Sequence, residues 1–141
     1  DPFEAMRNAL NAIRLKQGKH TAYTSTEALF GSTTNSAKVL GLEGSIGKVQ
    51  EGFKADLIQI DINQPHLVPF YAEYASIAYY ARASDVVTSI INGKIVMKDR
   101  VVIGIDETKA LEAVAKHIPT LSDKMLKLGG AVHPGLCPCG F

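Results

Sequence analysis

The sequence predicts a mixed α and β chain, helical up to Leu42, strand-rich from about Asp56 to Ile105, and closing in a helix and a coil tail. Three observations carry this prediction. Phe3, Met6, Leu10 and Ile13 recur at helical spacing, placing an apolar stripe on one face. The texture then changes at Gly44, Gly47 and Gly52, beyond which short β-branched runs alternate with turn signals. Two of those runs flank Asn92-Gly93, a dipeptide that supplies positive φ at both centres of a type I′ hairpin turn.

Each element has its own local reason. Asp1 can cap a helix, Pro2 suits its first position and Glu4 completes the box, so a helix is expected over about Pro2 to Leu15. Thr24 and Glu27 form a second capping box, starting a helix near Ser25. The hydroxyl-rich run from Ser32 to Asn35 should break it, because such side chains compete for backbone hydrogen bonds. Asn35 is then expected to cap a short third helix, stopped by Gly41 in the left-handed region. Asp56 to Asp61 reads as a strand. Pro65 and Pro69 bracket an irregular crossing, and Ala72 to Ala83 as a helix with Tyr74, Ile77, Ala78 and Ala81 on one face. Val86–Ile91 and Lys94–Lys98 make the hairpin, and a tight turn at Asp99-Arg100 leads to a third strand, Val101–Ile105. Asp106 caps a helix over about Glu107 to His117, which Pro119 is expected to interrupt before it resumes toward Leu128 and a coil tail. Three segments follow: 1–42, 43–105 and 106–141.

Composition excludes several classes. A chain of 141 residues has no room for a whole (β/α)8 barrel of about 250 residues. Apolar residues at 46% and charged residues at 21% describe a globular protein with a real core. Fifteen Lys and Arg against fourteen Asp and Glu leave a net charge of +1, so no global field draws in nucleic acid or an anionic membrane. The apolar runs fall far short of the roughly 18 residues of a membrane span. Both cysteines, Cys137 and Cys139, stand in the tail, so no disulfide framework is expected and a cytoplasmic setting is the default. The first residue is Asp1 rather than Met, and the sequence is expected to begin inside something longer.

Chemistry-bearing residues are sparse. His20, His66, His117 and His133 are widely spaced, with no His-x-His pair and no His-Glu-x-x-His helix. His66, between Pro65 and Leu67, can serve a loop backbone or reach a neighbouring pocket; the structural role is the simpler reading. His133, Cys137 and Cys139 are soft ligands of the kind zinc uses, one short of a closed site and in a Gly- and Pro-rich tail. Gly41, Gly44, Gly47 and Lys48 imitate a phosphate loop. They fail its spacing, carry Val49 where Ser or Thr should hold magnesium, and follow a helix instead of a strand, so they read as turn glycines. Asp56, Asp61, Asp85 and Asp99 fall at strand ends or turns, where Asp satisfies backbone. Tyr71, Tyr74, Tyr79 and Tyr80 offer a binding surface or, as aromatics at helical spacing more often do, core. Taken alone, these residues describe scaffold and not a catalytic centre.

Linked stretches nevertheless form a recognisable order. Glu27-Ala-Leu, Asn35-Ser-Ala-Lys-Val-Leu-Gly-Leu42 and Gly44 through Ile60 (GSIGKVQEGFKADLIQI) together resemble the C-terminal signature of the amidohydrolase superfamily. Pro65-His66-Leu67 with Pro69, Ser84-Asp85-Val86 and Ile91-Asn92-Gly93-Lys94 narrow the resemblance to its chlorohydrolase and aminohydrolase branch. That branch includes guanine deaminase, S-adenosylhomocysteine and methylthioadenosine deaminases, and triazine hydrolases. The resemblance runs from Asp1 to about Asp106. Ala72 and Glu51 depart from it, where Asp and Pro are frequent.

The resemblance implies a parent enzyme with a metal-bearing (β/α)8 barrel and a small β-sandwich assembled from both chain ends. Residues 1–42 would be the terminal barrel helices, and 43–105 the C-terminal share of the sandwich with a helical crossing at about 72–83. Phe3, Met6, Leu10 and Ile13 would close the barrel, and Phe3, Met6 and Leu10 would be left uncovered without it. The implied chemistry is hydrolysis of a carbon–nitrogen bond, deaminating an amino-substituted heterocycle with hydroxide generated on a divalent metal, zinc or iron. Its ligands, a His-x-His, further His residues and an Asp closing the eighth strand, would all lie upstream of Asp1. The implied partners are the missing barrel and a small-molecule substrate, with homo-oligomerisation open. The competing expectation is a standalone, non-enzymatic β-rich interaction module that retains a hydrolase-like scaffold.

Overall fold

The structure is a computed structural model that describes the backbone of residues 1–127 and the side-chain environments of residues 1–121. Residues 1–103 form one compact unit and residues from Gly104 onward a second. In the first unit, α1 spans Pro2–Gln17, α2 Ser25–Ser32 and α3 Thr34–Val39. β1 covers Leu57–Ile60, α4 Glu73–Tyr79, β2 Val86–Ile91, β3 Lys94–Lys98 and β4 Val101–Val102. The second unit contains α5, Glu107–Lys127.

The expected caps are in place. Asp1 Oδ1 accepts the Phe3 N–H at 2.8 Å, and Gly18 at φ 63° closes α1 two residues later than the stripe predicts. Thr24 Oγ1 accepts the Glu27 N–H while the Glu27 carboxylate accepts the Thr24 N–H, the reciprocal box that starts α2. The α2–α3 break narrows to Thr33, and Asn35 lies inside α3 instead of capping it. The hydroxyls there do different work: Thr33, Thr34 and Ser36 donate back to the Leu29, Phe30 and Gly31 carbonyls and satisfy the end of α2.

The core corrects one expectation. Phe3, Met6 and Leu10 are buried inside this unit, packed with Ala28, Leu67, Ala78 and Ala81, so no barrel is needed to cover them. Ile13 is half-buried. Burial of each large apolar side chain here stabilises by roughly 1.5–3 kcal/mol. Small residues are what let α1 approach: Ala28 on α2 is buried, and Ala78 on α4 and Ala81 just beyond it are fully buried.

The sheet has four antiparallel strands in the order β1-β2-β3-β4. Leu57 pairs with Ile90, Ser89 with Met97 and Met97 with Val102. Asn92 and Gly93, at φ 50° and 77°, make the hairpin turn, and Asp99 and Arg100, at 51° and 64°, make the next. Asp56 Oδ1 accepts the Asn92 N–H at 2.6 Å, tying the hairpin tip to the start of β1. β4 is shorter than the expected Val101–Ile105 because the chain turns at Gly104, φ 84°.

Two helices also differ from expectation. α4 ends at Tyr79, since Arg82 is extended at φ −130° and a 3-10 turn, Ala83–Asp85, leads directly into β2. α5 runs through Pro119 without interruption. An interior proline deletes one backbone bond and can kink a helix without ending it. Asp106 Oδ1 accepts the Lys109 N–H at 3.1 Å, the cap expected for this helix.

Candidate functional site

The crossing between β1 and β2 builds a cleft of about 450 Å³, lined by the loop from His66 to Ala72 and by one side of α4, with Ser76, Tyr79 and Tyr80. His66 in its wall is paired with a carboxylate that does not itself line the cleft. His66 Nε2 lies 2.8 Å from Asp85 Oδ2, and the same oxygen accepts the Arg82 N–H at 2.8 Å. Asp85 is only 2% exposed. Burial pushes its carboxyl up, but the bonds from His66 and the Arg82 amide outweigh burial and hold the group below its ordinary value. An ionised carboxylate has no proton to give, so Nε2 is the donor, and in the neutral ring Nδ1 is left as the acceptor.

The segment carrying Asp85 is tied down from several sides. The Arg7 guanidinium donates to the Ala81 carbonyl at 2.7 Å, and Asp1 Oδ2 accepts the Ala83 N–H at 3.2 Å. Asp61 N–H donates to the Asp85 carbonyl at 2.8 Å, and Arg100 Nε to the Ser84 carbonyl at 2.8 Å. α1, the end of β1 and the β3–β4 turn therefore meet at Ala81–Asp85. Arg14 adds a second link, donating from Nε to the Tyr23 carbonyl and from its terminal nitrogen to the Tyr79 hydroxyl, with its guanidinium 5.6 Å from that ring's centre.

Three of the four tyrosines lie outside the core: Tyr71 is 80% exposed, and Tyr74 and Tyr80 are exposed as well, while Tyr79 is half-buried against the core and hydrogen-bonded by Arg14. His66 bonds to a buried carboxylate and not to loop backbone. Nothing in the sequence joins residues 19 positions apart as that pair is, although both stand in the stretches that carry the family resemblance. Asp56 and Asp61 accept backbone N–H groups at turns, as their positions predict. Gly47 is a close-packed turn at φ 87°, where a Cβ would stand 2.9 Å from the Ala37 Cβ and 3.0 Å from the Thr33 carbonyl oxygen. That crowding, and not phosphate, accounts for the glycine.

Among the described residues no group of three His, Cys, Asp or Glu side chains is placed to hold a metal. His66 brings one imidazole whose Nε2 is already committed to Asp85, and His117 lies in the second unit. A resident metal therefore does not fit the described residues. His133, Cys137 and Cys139 lie outside them.

Comparison with known proteins identifies the lineage. The amidohydrolase family profile matches residues 1–96. The chain belongs to the amidohydrolase family. It is 36% identical over 116 residues to 5-methylthioadenosine/S-adenosylhomocysteine deaminase 1 of Syntrophus aciditrophicus, covering 82% of this chain and 26% of that protein. It is 39% identical over 116 residues to 5'-deoxyadenosine deaminase of Methanosarcina barkeri, with the same coverage of 82% and 26%. Among solved amidohydrolase-fold structures, an adenosine deaminase from Xanthomonas campestris with bound zinc superposes with a TM-score of 0.77 at 28% identity, over 82% of this chain and 26% of that one. Atrazine chlorohydrolase from Arthrobacter aurescens shares the fold, with a TM-score of 0.73 at 18% identity over 83% and 26%. The chain thus spans about a quarter of the length of the relatives it matches.

Proposed function

We propose that this chain is the C-terminal part of a metal-dependent amidohydrolase that deaminates an amino-substituted heterocycle of the adenine nucleoside class. The observation that carries the reading is the match at 36% and 39% identity to two adenine-nucleoside deaminases across only 26% of their length. In the parent reaction water would add at the amino-bearing ring carbon, ammonia would leave and an oxo group would remain; a metal held outside these residues would supply the hydroxide character that such an addition needs. Zinc or iron would be held outside these residues, and this chain would contribute no catalytic group.

Its part is mechanical. Residues 1–42 would be the terminal helices of the barrel and 43–105 the C-terminal share of the sandwich. Exposed apolar side chains support a missing cover: Leu15, Val39, Leu40 and Val49 are exposed by 83%, 87%, 67% and 87%. No helix among the described residues is long and apolar enough to cross a membrane. We place the parent in the cytoplasm.

The test compares the full reading frame with the 141-residue chain for ammonia release from 5-methylthioadenosine and adenosine. Activity is expected from the full product alone. Deamination that follows the purified chain would overturn the proposal. One observation favours a second reading, a standalone scaffold module: α1 already buries its apolar face within the unit. A stop codon or unrelated sequence immediately upstream of Asp1 would decide for the module.

A further inference from the structure

α5 carries a narrow apolar seam. Leu111, Val114, Ile118 and Leu121 are exposed by 72%, 62%, 58% and 55%. Their 3-4-3 spacing is that of the a and d positions of a heptad, and at 100° per residue the four directions fall within about 80°. The sequence extends the spacing with Met125. Most surface helices that lie on a larger body show a broader apolar face; a strict a/d stripe is the kind another helix reads. Ala110 and Ala115 flank the seam, and such small flanks permit close helix approach. Pro119 lies about 120° round from the seam centre, where it obstructs nothing.

The helix is also polarised. From 106 to 113 it holds Asp106, Glu107 and Glu112 against Lys109; from 114 to 127 it holds Lys116, Lys124 and Lys127 against Asp123. Three acids with one base give −2, and three bases with one acid give +2. We propose that α5 is a self-association element whose seam packs antiparallel against α5 of a second copy of this chain. Antiparallel pairing sets each acidic half beside a basic half and opposes the two helix dipoles, whereas parallel pairing sets like beside like. The contact is two-fold and self-complementary, so it closes at a dimer.

Sedimentation equilibrium on the 141-residue chain over about 1–500 μM tests it, with far-UV circular dichroism on every variant. Such a short seam should give a reversible, concentration-dependent dimer. Ile118→Asp should weaken it at least about tenfold, because the seam would have to desolvate a charge. Leu15→Asp, an exposed apolar site in the first unit, should leave it unchanged. Glu107→Lys/Glu112→Lys and Lys116→Glu/Lys124→Glu should each lose self-association, and an equimolar mixture should recover it as a heterodimer. A chain that stays monomeric, association that survives Ile118→Asp, association lost with Leu15→Asp, charge variants that associate like the parent, or a mixture without recovery would overturn the proposal.

Discussion

Removing the His66 ring from Asp85 gives the sharpest test of the cleft. In His66→Ala the Asp85 carboxylate, 4% exposed as a side chain, keeps only the Arg82 amide on the oxygen that now takes two bonds. A hydrogen bond to a charged group contributes about 1.5–3 kcal/mol. Asp85→Ala loses both bonds and should cost more, about 3–5 kcal/mol, as removal of one member of a buried pair does. If the two side chains act through one another, the double variant costs less than the sum, with a coupling of about 1.5–3 kcal/mol. Urea unfolding followed by circular dichroism at pH 7 reads this: with a slope of about 1–3 kcal/mol per molar, a 2 kcal/mol loss moves the midpoint by about 1 M. The pH dependence has a definite sign. Asp85 titrates below its ordinary value when folded, so its contribution is complete above the ordinary carboxylate range and disappears as pH falls through the folded value. The coupling should therefore hold at neutral pH and fade below about pH 4. A coupling under about 0.5 kcal/mol at pH 7, or one unchanged down to pH 2, would refute the account of the pair.

Leu10 is wholly buried at the centre of the α1 contact, so Leu10→Ala should destabilise the first unit by about 2–5 kcal/mol in the same assay. Gly47→Ala should cost at least about 1 kcal/mol, since it adds positive-φ strain to a clash with Thr33 and Ala37, while Gly44→Ala, with nothing within 4 Å, should stay within about 0.5 kcal/mol. Thr24→Ala should lose about 1 kcal/mol by uncapping α2, detectable as a lower urea midpoint. Chelation should abolish deamination by the full-length product yet leave the urea midpoint of the 141-residue chain unmoved, as measured with and without 1,10-phenanthroline.

Much of the backbone was legible because its instructions are local. Asp1, Thr24, Glu27 and Asp106 cap within a few residues of themselves, and Asn92-Gly93 needs only its own φ angles. Element lengths were less legible where the decision is made elsewhere. α4 stops short because the chain must become extended at Arg82 to enter the 3-10 turn, and β4 because Gly104 turns away. The cover of Phe3, Met6 and Leu10 is not legible for a related reason: a stripe states that a face will be buried without stating by what, and Ala78 and Ala81 lie some seventy positions further on. The His66–Asp85 pair is of the same kind. Each half carried a plausible private explanation, a loop histidine and a turn aspartate, and only tertiary structure brings them to 2.8 Å.

The carboxylate of Asp1 serves two elements at once, one oxygen facing the first turn of α1 and the other the Ala83 amide. Six residues on, about 9 Å along the axis, Arg7 grips Ala81. Two fixed points on one helix determine its heading, and the split carboxylate also sets its rotation about that heading. The Ala81–Ala83 segment is thus a jig for the helix: a change in its backbone would swing or roll α1 as a rigid lever, and whatever is joined to that lever would register the error at a distance. Substitution of the fully buried Ala81 would cost stability as well, whereas a change at the exposed Ala83 would act on angle more than on strength.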